Sequence, residues 1–105
     1  MEKVILIEPY NILYSKKFSE KVQSIYRYLY YQLKNPIASY NFQIKILQTI
    51  SILKFFPFIG PKYKNTNYRY LTFQKWLIFY TVQEQKVKVI FIFHTKQNFN
   101  SNFNP

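Results

Sequence analysis

The stretch Val87-Lys88-Val89-Ile90-Phe91-Ile92-Phe93 constrains the fold more than any other part of the chain, because it is apolar on both faces of a strand. By the two-residue period of extended backbone, Val87, Val89, Phe91 and Phe93 share one face, and Ile90 and Ile92 share the other. A strand with two dry faces belongs in the centre of a sheet. Two strands are expected before it, about Tyr68 to Phe73 and about Trp76 to Val82. The connecting turns, Gln74-Lys75 and Gln83-Glu84-Gln85-Lys86, are short enough for consecutive antiparallel hairpins. A further strand is expected over Tyr10 to Tyr14, reaching back toward Lys3 with a break at Pro9.

The covering layer is helical. Ser15 is a good N-cap, and Phe18, Val22, Ile25, Leu29 and Leu33 recur at helical spacing as one apolar stripe, with Lys17, Glu20, Lys21, Gln23 and Arg27 elsewhere. Asn35-Pro36 stops this helix and starts the next, since Asn caps well and Pro is tolerated at the first helical position. The second helix has its own stripe, Phe42, Ile46, Thr49, Ile50 and Leu53, which predicts an antiparallel hairpin with a very short connection. It also carries Ile44, Leu47, Ile52 and Phe55, a surplus that one sheet cannot cover. The expected fold is α+β: an N-terminal strand, then a two-helix antiparallel hairpin packed on a small, mostly antiparallel three- to four-stranded sheet. The second sheet face is expected to be partly open, with basic residues beside it.

At 105 residues the chain makes one domain, read as 1–97 followed by a flexible, Asn-rich tail over 98–105. It has no cysteine, one His and one Gly, which excludes disulfides, thiolate metal sites, multi-histidine metal sites and glycine-rich phosphate loops. No cofactor and no metal are expected. Fifteen Lys and Arg against four Asp and Glu leave a formal charge of +11, which asks for a polyanionic partner. Lys45 and Lys54 interrupt the most apolar stretch, so no spanning helix is expected, and the Val4–Ile7 run is too short for a signal-peptide core. A cytoplasmic location is expected.

Several short motifs then carry a family resemblance. Tyr14-Ser15-Lys16-Lys17-Phe18 marks the first strand-to-helix junction, Asn35-Pro36 with Ala38 and Phe42 opens the second helix, and Phe56-Pro57 with Gly60 closes it. Tyr68-Arg69 with Leu71, Leu77-Ile78-Phe79-Tyr80, Val87-Lys88-Val89 and a terminal His94 complete the order. In this order and spacing the chain resembles the RelE/ParE superfamily of bacterial type II toxins over about Tyr14 to Phe99. The resemblance implies a small basic, growth-inhibiting toxin neutralised by an acidic antitoxin in a hetero-oligomer. It implies one of two actions: poisoning DNA gyrase, or cutting mRNA on the ribosome.

Ribonuclease members of that superfamily use basic residues on the sheet and a C-terminal Tyr or His. Here Leu71, Leu77 and Phe99 occupy three such positions, so Arg69, His94 and Lys96 are the remaining catalytic candidates. That pattern favours the gyrase poison, with the ribonuclease and an inactive, antitoxin-binding relative as alternatives. Lys62, Lys64, Arg69, Lys75 and Lys96 are candidates for a target- or anion-binding rim, and Ile44, Leu47, Ile52 and Phe55 for the antitoxin surface. Each has a plainer reading: His94 as a strand-end residue bonded to backbone, Arg69 as the ion-pair partner of Glu84 or Glu8, the lysines as solvated charges; Trp76, a candidate interface anchor beside Lys75, reads more plainly as core.

Overall fold

In the computed structural model, which describes residues 8–96, four strands and a helical hairpin follow the expected order. The elements are β1 (Asn11–Tyr14), α1 (Lys16–Arg27), α2 (Pro36–Ser51), β2 (Arg69–Phe73), β3 (Trp76–Gln83) and β4 (Lys86–His94). The expected extension of β1 toward Lys3, the tail 98–105 and Phe99 lie outside the described residues.

Both helix starts form as their sequences require. The Ser15 hydroxyl accepts the Phe18 N–H at 3.0 Å, and the Asn35 side chain accepts the Ala38 N–H at 3.0 Å, with Pro36 in the first turn. Ser15 also donates to the Ile90 carbonyl at 2.7 Å, tying the helix start to the sheet. One expectation fails at the end of the first helix. Residues Tyr28–Gln32 form a π-turn, closed by the Leu33 N–H on the Tyr28 carbonyl at 3.1 Å. The wider turn adds a residue to the helical cycle, so Leu33 drops off the stripe and is exposed while Ile25 is buried and Leu29 partly so.

The sheet order is β1-β4-β3-β2, so β4 is central as its two dry faces demand. It pairs in parallel with β1 and antiparallel with β3, and β3 pairs antiparallel with β2. The face assignment along β4 needs correction. Phe79 pairs with Phe91 but Tyr80 pairs with Val89, so Ile90 is an extra residue in a β-bulge. The bulge reverses the alternation: Val87, Val89 and Ile92 join the helix-facing core with Ile46, Ile50, Leu53, Ile78 and Tyr80.

Phe91 and Phe93 turn to the outer face instead. There Phe93 lies 5.8 Å from Phe79 and 5.4 Å from Phe91, and Tyr63 and Tyr70 close on Phe79 at 5.4 and 5.7 Å. The second face, expected to be partly open, therefore carries an aromatic layer with Phe79 and Phe91 buried, and Lys17 sits 4.9 Å over the Phe91 ring.

Candidate functional site

The sheet carries its polar candidates at two opposite ends. At the start of β2, Arg69 is bridged antiparallel to Lys62 and lies opposite Tyr80. Its Nη1 donates to the Gly60 carbonyl at 2.8 Å and the Phe58 carbonyl at 3.3 Å, and its guanidinium stacks 5.2 Å over the Phe58 ring. These donors go to carbonyls and not to Glu84 or Glu8, so Arg69 clamps the Phe58–Gly60 segment to the sheet. Beneath it the fully buried Tyr80 accepts the Gly60 N–H at 3.0 Å. Burial pushes the Tyr80 phenol above its ordinary range, an effect partly offset by the Gly60 N–H and by the Arg69 charge. A cavity of about 500 Å³ opens here, lined by Lys62, Asn67, Arg69, Thr81 and Gln83 among others. Lys64 stands nearby, its ammonium 5.3 Å over the Tyr63 ring.

His94 ends β4 at the other extreme, opposite Trp76, with the two rings edge to face at 5.0 Å. Its Nδ1 accepts the Lys96 backbone N–H at 3.1 Å, which leaves the neutral ring's proton on Nε2. The Thr95 N–H reaches the Lys75 carbonyl at 2.8 Å, so His94, Lys96 and Lys75 gather at one corner. A cleft of about 680 Å³ opens beside them between α1, α2 and the sheet.

Arg69 is absent from that corner. It faces Tyr80 while His94 faces Trp76, four residues away along β3, so the two are offset by about 13 Å along the strand direction and also have β3 between them. The three catalytic candidates are thus split two and one, and the basic rim divides likewise into Lys62, Lys64 and Arg69 against Lys75 and Lys96. Acid–base attack on a phosphodiester needs the proton acceptor and the charge stabiliser within hydrogen-bond reach of one reacting centre.

The helical surplus is exposed, as its position off the main stripe predicts. Ile44, Leu47, Ile52 and Phe55 all face solvent, Leu47 at 53%. The structure extends this face with two residues that the sequence reading passed over, Ile37 at 73% and Tyr40 at 62% exposure. Ile37, Tyr40, Ile44 and Leu47 follow a three-four-three spacing, the seam that one helix presents to another. That spacing was available in the sequence. Phe56, Phe58 and Ile59 add an apolar patch where the segment after α2 returns to the sheet.

Residues 12–99 match the family described as the ParE toxin of the type II toxin-antitoxin system, parDE. The chain belongs to the ParE toxin family. It is therefore the toxin component of a type II toxin–antitoxin module, and membership implies an antitoxin partner. The ParE fold is also evident in three dimensions: a chain of the chromosomal ParDE system from P. aeruginosa superposes with a TM-score of 0.71 at 16% identity, covering 81% of this chain and 95% of that one. YafQ from E. coli strain BL21(DE3) aligns at a TM-score of 0.49 and 17% identity over 90% of this chain and 99% of its own. No curated protein sequence matches this ParE-family toxin. Among its described residues no helix is long and apolar enough to cross a membrane, and no cluster of His, Cys, Asp or Glu is placed to hold a metal.

Proposed function

We propose that this toxin arrests growth by binding DNA gyrase, not by cutting RNA. The observation that carries this reading is the separation of Arg69 from His94 and Lys96, together with the commitment of the Arg69 guanidinium to the Phe58 and Gly60 carbonyls. A binding mode needs only a surface, and the basic groups at both ends of the sheet supply charge for one. Such a target places the protein in the cytoplasm.

The antitoxin is an acidic segment that folds on binding and lays a helix along the seam of Ile37, Tyr40, Ile44 and Leu47, with Ile52 and Phe55 at its end. A chain at +11 attracts an acidic partner, which raises the association rate more than the final affinity.

Induction in a bacterial host without antitoxin is the test. Growth arrest with gyrase-dependent DNA breaks, retained in His94→Gln, is expected. Primer-extension mapping that finds codon-aligned mRNA cuts, lost in His94→Gln and in Arg69→Ala, would establish the ribonuclease instead. Healthy growth at verified expression would indicate an inactive relative.

A further inference from the structure

The cleft beside His94 combines basic, aromatic and amide side chains in one opening. It collects side chains from both helices, the β2–β3 turn and the ends of β3 and β4, and none of the described residues that line it is acidic. Two lysines enter it, Lys21 from α1 and Lys45 from α2, both exposed and both brought to one opening although they lie on different helices. Its wall is aromatic. Trp76 is only half-buried, and its indole is held from two sides, by the His94 ring at 5.0 Å and by the Phe42 ring at 6.4 Å. Tyr28, the residue that opens the π-turn, is exposed at the cleft's edge. The amides of Asn41 and Gln74 complete the rim with paired donors and acceptors.

We propose that this cleft is a nucleotide-binding site, in which the base packs on Trp76 and the phosphate lies between Lys21 and Lys45. A volume of about 680 Å³ is in the ordinary range for a small-ligand pocket. Lysines are point-charge phosphate binders, and a flat indole takes any base through its π-face. Asn41 and Gln74 can meet the donor and acceptor edge of the base. The π-turn contributes directly: Tyr28 and Leu29 both line the cleft, so the irregularity that follows α1 shapes its mouth. The site is separate from the exposed α2 seam and does not depend on which target the toxin has.

Trp76 is the chain's single tryptophan, so its emission reports this cleft alone. The full-length protein is titrated with AMP, adenosine, inorganic phosphate and a short oligoadenylate. AMP should change the emission saturably, adenosine more weakly, and inorganic phosphate should compete with AMP while altering the emission little. Each lysine should contribute about tenfold, so Lys21→Gln with Lys45→Gln should weaken AMP binding about a hundredfold. Both positions are exposed, and circular dichroism of the double variant checks that the fold persists. If the oligoadenylate binds far tighter than AMP, the natural source is a nucleic-acid strand; equal affinities mean a free nucleotide. An unsaturable response, equal binding of AMP and adenosine, or a double variant indistinguishable from the wild type would overturn the proposal. None of those failures touches the toxin reading, which is judged by growth.

Discussion

Tyr80→Phe removes one oxygen from a side chain that has no exposed surface, and so tests what pins the segment before β2 to the sheet. The Tyr80 hydroxyl accepts the Gly60 N–H at 3.0 Å in a buried position. With Phe the ring still packs among Val89, Ile78 and Leu53, but the Gly60 N–H is stranded. A buried donor left without a partner costs about 1–3 kcal/mol. For a domain of this size each kcal/mol lowers Tm by about 4–8 °C, so a drop of roughly 5–20 °C is expected. Thermal and urea unfolding, followed by circular dichroism, measure it.

The pH dependence supplies a second readout. Burial raises the Tyr80 pKa above its ordinary 10.0, so the native state favours the protonated phenol. The corresponding stability is fully present below pH 10.0 and is lost as the pH climbs through the raised native value. Phe cannot titrate, so the stability gap between the two proteins should narrow as the pH rises from 10.0 toward the raised native value. Tyr14, also raised by burial, is common to both proteins and drops out of the difference. A loss below about 0.5 kcal/mol with an unchanged alkaline limb would refute the reasoning, since it would mean that the Gly60 N–H does not depend on this hydroxyl.

Gly60→Ala should destabilise at least as much as Tyr80→Phe, by about 1–3 kcal/mol or more in the same unfolding assay, because an added Cβ would run into the Tyr70 carbonyl oxygen and lie 2.8 Å from the Tyr80 hydroxyl. Ser15→Ala removes both the cap on the Phe18 N–H and the bond to the Ile90 carbonyl at the bulge, and should cost about 1–2 kcal/mol by urea unfolding. Tyr40→Glu with Leu47→Glu, both on the exposed seam, should leave stability within about 0.5 kcal/mol per substitution yet abolish co-purification with the antitoxin. Retained co-purification would move the antitoxin off that face.

The features that were legible in the sequence are those set by neighbours within a turn or a strand. Ser15 and Asn35-Pro36 cap their helices because the bonds they make reach only three residues along the chain. The dry faces of Val87–Phe93 place β4 at the centre of the sheet whatever its partners are, because there both of its side-chain faces are covered. The α2 seam was legible in its spacing, since Ile37, Tyr40, Ile44 and Leu47 recur three, four and three residues apart, but its exposure shows only once the opposite face is seen to be buried.

Tertiary structure alone decided the rest. The bulge at Ile90 follows from the pairing of β4 with β3, and one extra residue is enough to send Phe91 and Phe93 to the opposite face from the one that alternation predicts. The π-turn at Tyr28–Gln32 likewise takes Leu33 out of a stripe that periodicity had included. Arg69 and His94 both look like working residues in one dimension, but each belongs to a different end of the sheet, because strand register converts a few residues into more than ten ångströms. The cleft where Lys21, Lys45 and Trp76 meet has no sequence signature, since its walls come from elements far apart in the chain and only their packing brings those side chains together.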